Sequence, residues 1–449
     1  MGVSVKLADM ILRFSYRDLP QQVIDITISC VYNYMGCVYS GSIQPPPKAM
    51  QKMLEQIYNY NTQGKCSVLG TGYKTDPVMA ALMNGTSANS MAYDDMYKDG
   101  IHHPGASAIT AALAISQVYP VTGEEFITAV VLGYEVSNRI AKACNPSHYR
   151  YWHTAATAGS FGAAVVSAKL LKLNRDEIVW ALGNAGTQAT GLQECTGNMA
   201  QRFHLGTASR NGVLGALLAK YGFDGPPNIL DGPKGFFAAM SQYEGDIAGM
   251  FDDIGQRYTI LDTTFKFYPC CGHIHACIDG AIMALEESGI SWKDIQRVDV
   301  ATYNTALANS GNPSPSGIAE AKFSIPYCVA AGLVYGKVTV EEFSTWPPSP
   351  EVSEMMKKIH LSVDETCEAE FPAQRGAFVT ISTGDRQFSV RRHSRKGDPD
   401  CPLTRKDIVE KYRALCGMVL PEHGVQALAE QIDRLPQLGD ASVLCADYR

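Results

Sequence analysis

Three long stretches of this chain are built largely from residues too small to fill space by themselves. GEEFITAVVLGYEVSNRIAKAC (123–144), TAATAGSFGAAVVSAKLLKL (154–173) and TASRNGVLGALLAKYGF (207–223) repeat alanine, glycine and aliphatic side chains at steps of three and four. That period predicts helices, and side chains this small predict helices lying close against one another. The segments between them carry Pro, Gly, Asn and Asp, as turns require. The span to residue 262 reads this way, so a helical domain is expected there.

Near residue 265 the texture changes. QRVDVATYN (296–304) alternates apolar and polar residues, and GAFVTISTGDRQFSVRR (376–392) reads as two strands around a Thr-Gly-Asp turn. Helical patterns (HIHACIDGAIMALEESG, VAAGLVYGKV) lie in the same region. After the polar linker SRKGDPDCPLT, the segment LTRKDIVEKYRALCGMVL returns to helix periodicity. The expected architecture is mainly α: a large helical domain over 1–262, a smaller inserted α+β domain over 263–398, and a helical tail over 399–449 that rejoins the first. With 449 residues the chain is long enough for two cores.

Composition excludes some partners. The net charge of −7 comes with no basic tract, so neither nucleic acid nor an anionic membrane is an expected partner. A small acid remains open, because it needs only two or three local cations. The 13 cysteines suggest no disulfide framework; Cys30, Cys37, Cys144 and Cys328 sit in apolar stretches, where a thiol acts as a small hydrophobe. The opening MGVSVKLADMILRF carries Lys6, Asp9 and Arg13, unlike a secretory leader. ITISCVYNYMGCVYSG is interrupted by Asn33 and is shorter than the roughly 20 residues that span a bilayer. A cytoplasmic location is expected.

Familiar catalytic signatures are missing from the sequence. HIHAC (273–277) with Cys270 and Cys271 is a single dense cluster, whereas structural zinc sites pair two knuckles of ligands, so no metal is expected. There is no dinucleotide fingerprint, no phosphate-binding P-loop and no nucleophile elbow. What remains is a set of basic residues at helix openings. His103 precedes Pro104-Gly105 in YDDMYKDGIHHPGA (93–106), His153 opens the next Ala-rich helix, and Arg202 and His204 stand just before a third. A helix N-terminus favours a carboxylate, so three such openings point to a convergent anion pocket. The competing reading is structural, since a lone histidine is more often a satisfied core group than an acid or base. Lys98 and Asp99 fit a solvated loop as well as a site.

HHPGASAITAALA, QRFHLGTASRNGVLGALLAKYGFDGPPNILDGPKGF, KFYPCCGHIHACIDGA and KFSIPYCVAAGL resemble, in order, the motifs of the MmgE/PrpD family, across about residues 5–440. The resemblance implies a helical domain formed by both chain ends, an inserted α+β lid and a homodimer. It also implies an active site between domain and lid that uses no cofactor and no metal and acts on di- or tricarboxylates. Members include dehydratases, decarboxylases and epimerases. His103, His153, Lys266 and Tyr327 fall on positions the family uses, and Asp94 and Asp95 fall in its acidic stretch. Departures occur at Ala92 and Met96, where decarboxylases carry Asp and Thr, and at Gln201, where much of the family has a lysine beside the retained Arg202. That lysine's charge-assisted bond would be worth ~1.5–3 kcal/mol, which argues against citrate or cis-aconitate held in the usual way.

The chemistry implied is the making and quenching of a carbanion-like centre beside a carboxylate. In this reading Lys266 and Arg202 hold carboxylates, Gln201 is a neutral donor and His204 contributes to substrate binding. His103 or His153 moves the proton, Asp94 and Asp95 set the tautomer, and Tyr327 donates to the developing charge. Dehydration of a 2-methylcitrate- or citrate-like hydroxy acid is the leading expectation. Epimerisation of an iminodisuccinate-like dicarboxylate, decarboxylation of cis-aconitate and an inactive binding paralogue are the alternatives.

Overall fold

The computed structural model describes residues 2–57 and 64–449. It divides into two compact units, one made of Met1–Thr264 with Thr404–Arg449, the other of Phe265–Leu403.

The first unit is a stack of helices, chiefly Gln21–Ser42, Pro77–Ser90, Pro104–Ser116, Gly123–Cys144, Thr154–Leu170 and Met199–Lys220. Their starts follow from local chemistry. Asp76 accepts from the backbone N–H groups of Val78 and Met79 at 2.9 Å each, with Pro77 in the first turn. Thr122 and Glu125 close a reciprocal capping box at the next helix but one. Every residue of Pro104–Ser116 is buried, as befits a helix that is apolar or small on all sides. The expected close approach is present. A Cβ at Gly206 would run into the backbone of Leu82, and one at Gly212 into Ala163, so Met199–Lys220 lies tight against two neighbours. The C-terminal helix Arg405–Cys416 returns to this unit, where Tyr412 meets Tyr32 edge-on at 4.9 Å. Two short pairs, β1 (Cys66–Val68) with β2 (Tyr73–Thr75) and β3 (Met96–Tyr97) with β4 (Thr263–Thr264), are its strands among the described residues.

The second unit carries a four-stranded sheet of β5 (Arg297–Thr302), β6 (Ile359–Val363), β7 (Ala377–Ser382) and β8 (Gln387–Arg392), in the order β6-β5-β7-β8. β5 runs parallel to β6 and antiparallel to β7, which forms the predicted hairpin with β8. Alternating burial along β5 matches its alternating sequence. Helices His275–Ser288 and Ile325–Tyr335 share one apolar core with the sheet. The molecule is mainly α, as its sequence predicts. Among the described residues no helix is long and apolar enough to cross a membrane.

Candidate active site

The segment from Asn89 to His103 connects two buried helices of the first unit, and its backbone is sharply folded. Ala92 and Ile101 adopt left-handed conformations (φ 55° and 48°), and Tyr97 and His102 exchange backbone hydrogen bonds at 2.8 and 3.2 Å. This fold turns Asp94 and His103 toward each other. His103 Nδ1 stands 2.8 Å from the carbonyl oxygen of Asp95 and 3.2 Å from Asp94 Oδ2. Both are acceptors, so we assign the ring proton to Nδ1 and leave the lone pair on Nε2. His103 is the N-cap of Pro104–Ser116 and keeps 18% of its side chain exposed. Held this way, the ring turns Nε2 away from both acceptors.

Asp94 is tied to the rest by Asn89, a residue the sequence does not single out. Asn89 Nδ2 donates to both carboxylate oxygens of Asp94 at 2.9 Å, while its Oδ1 accepts from Arg202 Nη1 at 2.9 Å. One buried amide therefore couples the acid beside His103 to the site's arginine. Burial pushes Arg202 below its usual range and Asp94 pulls it back, yet a guanidinium stays charged in a protein.

His153 caps Thr154–Leu170, and its backbone N–H donates to Gly191 O at 2.8 Å. Its Nδ1 lies 3.2 Å from His204 Nδ1, and Cys195 Sγ lies 3.6 Å from the same His204 nitrogen. His204 Nδ1 is the natural acceptor for both, which leaves Nε2 of His153 with a lone pair. Burial first, then the neighbouring His103, His204 and Arg202, push His153 down to about 3, so it is neutral at ordinary pH. Histidines, arginine and carboxylate far apart in sequence thus form one polar cluster in the first unit.

Several expected residues sit differently. Arg202 and His204 do not precede their helix but lie in its first turns, because Asn198 caps it by accepting from Ala200 N–H and the helix begins at Met199. Asp95 does not face the cluster. Its Oδ2 accepts from the Tyr134 hydroxyl at 2.7 Å, and its other oxygen lies so close under the Pro104–Ser116 helix that a Cβ at Gly105 would collide with it. That helix end already has its carboxylate, and Gly105 is what lets it in. Burial, with Asp94 adding to it, pushes Asp95 up to about 6. Gln201 accepts through Oε1 from Gly197 N–H at 3.3 Å and so closes the preceding loop. Asp99 pairs with Lys142 at 2.8 Å on the exposed surface, the solvated role.

Lys266 and Tyr327 belong to the second unit. Lys266 is 8% exposed, and its charge acts on Cys270 and His275. The Tyr327 hydroxyl donates to the backbone carbonyl of Glu342, and burial raises it well above the ordinary tyrosine range, so its proton is already engaged. Among the described residues no three His, Cys, Asp or Glu side chains are placed to hold a metal ion. The first unit also has a hollow of about 580 Å³ lined by Asn145, Arg150, Tyr151 and Trp152, which the two histidines do not line.

Sequence reasoning also missed Lys411. It returns on the C-terminal tail and donates to Asn33 Oδ1 at 2.7 Å and Tyr93 O at 2.8 Å, with its ammonium 3.7 Å from the Tyr93 ring centre. Nothing in KDIVEKYRALC distinguishes it from a solvated lysine; only the fold brings it beside the acidic stretch.

Comparison with known proteins places this arrangement. The chain is 26% identical to a cis-aconitate decarboxylase of Aspergillus terreus over 99% of its own length and 95% of that protein, and 27% identical to one of Mus musculus over 99% and 92%. It is 23% identical to a probable 2-methylcitrate dehydratase of Saccharomyces cerevisiae over 76% of this chain and 70% of that one. Residues 5–246 match the MmgE/PrpD N-terminal domain and residues 268–437 the C-terminal domain, and the chain therefore belongs to the MmgE/PrpD family.

Proposed function

We propose that the protein is a lyase that removes water from a citrate-like hydroxy acid, by taking a proton from the carbon next to a carboxylate. The observation that carries this reading is the place of His103 Nδ1, 2.8 Å from Asp95 O and 3.2 Å from Asp94 Oδ2. With its proton held at Nδ1 by Asp95 O and Asp94, Nε2 is a lone pair on a fixed ring, suited to proton abstraction. Arg202, held by Asn89, supplies positive charge for a carboxylate on which charge builds as the proton leaves. The electrons of the broken C–H bond then form the alkene as the β-hydroxyl departs, protonated, as water. His153, neutral and linked to His204, is the second group able to carry a proton. Lys266 is proposed as a further carboxylate-binding cation.

Decarboxylation is the second reading, and the named decarboxylases among the relatives favour it. The lone pairs assigned to Nε2 of His103 and His153 weigh the other way, because loss of CO₂ requires a proton delivered to carbon rather than removed from it. Ala92 and Met96 add to that weight. The epimerase alternative draws no support from these relatives. A homodimer is also proposed, and sedimentation of the purified chain at twice the protomer mass is the expected result.

The test is a panel of hydroxy tricarboxylates and their unsaturated counterparts. Growth of ultraviolet absorbance from a conjugated acid, without CO₂ release, is the expected outcome. Stoichiometric CO₂ from an unsaturated tricarboxylate, with no dehydration of any hydroxy acid, would replace this reading with the second.

A further inference from the structure

One end of the second unit's sheet buries a cation that makes no hydrogen bond or ion pair among the described residues. Arg375 lies two residues before the β7 hairpin strand, and the Thr302 hydroxyl at the end of β5 donates to the intervening Gly376 O at 2.8 Å, fixing that segment beside β5. Arg375 is only 8% exposed, and its Nε is buried without a hydrogen-bond partner. It makes no ion pair or hydrogen bond to any described residue through its side chain. Arg395, whose charge acts on it, is placed differently. Its Nε and Nη2 meet the Asp398 carboxylate at 3.0 and 2.5 Å, and Nη1 donates to Gly272 O at 3.3 Å. Asp398 hydrogen-bonds Arg395, and its charge also acts on Arg375.

Two neutral groups complete the cluster. Tyr303 follows directly on β5, is fully buried and stacks on Phe371 at 4.5 Å between ring centres. Its hydroxyl lies 2.6 Å from His273 Nδ1. Burial, then Arg375 and Arg395, push His273 down to about 3, so its ring is neutral. We assign the tyrosine as donor to Nδ1, which places the single ring proton on Nε2, an atom with no partner among the described residues.

The Asp398 charge acts on Arg375, but the buried Nε–H makes no hydrogen bond to any described residue, and a buried donor left without an acceptor is costly. The arrangement therefore lacks an acceptor. We infer that Arg375 and His273 form a binding site in the second unit for a small oxyanion, a carboxylate or a phosphate. The guanidinium fork bonds two oxygens of one group in parallel, and His273 Nε2–H supplies a third bond. Tyr303 is the positioning residue that fixes the histidine's tautomer. The site uses none of His103, His153, Arg202 or Lys266, so its test is separate from that of the dehydratase reading.

Calorimetric titration of the full chain with inorganic phosphate, and separately with succinate, tests this. At least one anion binds the wild type and binds the His103→Ala variant equally well. Arg375→Gln weakens it by about tenfold or more, the loss expected when a charge-assisted pair is removed. Phosphate alone identifies a phosphorylated ligand, succinate alone a carboxylate. Should Arg375→Gln fail to fold, hydrogen exchange on the wild type replaces it. Slower exchange of amides near residues 272–275 and 374–377 on adding the anion supports the site. No binding of either anion to the wild type, undiminished binding by Arg375→Gln, or unchanged exchange in both segments overturns it. If His103→Ala dehydrates nothing yet binds the anion as before, the two sites are independent.

Discussion

Two buried polar clusters, one in each unit, handle charge in opposite ways. In the helical unit the charges around His103 are closed into a chain, with Arg202 bonded to Asn89, Asn89 to Asp94, and Asp94 to the histidine. In the sheet unit Asp398 hydrogen-bonds Arg395, and Arg375 makes no hydrogen bond among the described residues. The first pattern suits catalysis. Fixed partners hold one lone pair in place and need no rearrangement when charge moves. The second suits binding, because an unpaired buried donor gains most when a ligand arrives.

The comparison can be broken most severely at His103. His103→Ala is expected to lower kcat by 10²–10⁴-fold, the usual cost of a lost general base, while the thermal midpoint stays near the wild type. Asn89→Ala tests whether the closed chain matters. It removes the bonds linking Arg202 to Asp94, and steady-state kinetics should show a loss of about 10- to 100-fold with both charged residues still present. Gly105→Ala is aimed at the packing beneath the site. The added methyl would meet Asp95 and the Tyr134 hydroxyl, so denaturant unfolding should show a loss of ~1–3 kcal/mol.

A pH scan sharpens the comparison from the stability side. His153 and His273 are pushed to about 3, and burial holds His102 and His275 well below the ordinary histidine value. Below pH ~6.5 the unfolded chain binds protons that these folded rings refuse, so stability falls as pH drops from about 7 toward 4. Asp95, pushed up to about 6, acts oppositely. Between pH ~4 and 6 its folded form keeps a proton that the unfolded form releases, so its contribution falls as pH rises through that window. With His148 and His204 also held low, six imidazoles outweigh the three raised carboxyls Asp95, Glu135 and Asp279, and the thermal midpoint should rise from pH 5 to pH 7. Asp95→Asn removes one opposing contribution and should make that rise slightly steeper, the smallest of these effects.

The helices and the sheet hairpin were legible because burial leaves a periodic trace. Small residues at helical steps announced Gly123–Cys144 residue for residue. His103 and His153 were legible because each is followed directly by a helix start. Arg202 and His204 were misplaced, because the first turn they share, MAQRFH, lacks the small-residue period of the rest of that helix. Asn89 left no trace, being one more polar residue in NGTSANS, and its importance exists only where two distant charges meet it. Arg375 was equally silent, since how a buried cation is bonded is a property of the folded surroundings and not of FPAQRGA.

The central claim is that His103 takes a proton from carbon beside a carboxylate. Its most direct test is proton NMR of the reverse reaction in D₂O, adding water to an unsaturated tricarboxylate. The account predicts one solvent deuterium on the α carbon of the hydroxy acid with wild-type protein, and loss of that signal by at least 10²-fold with His103→Ala. Product formed without α-deuterium, or His103→Ala incorporating it within a few fold of the wild-type rate, would contradict it.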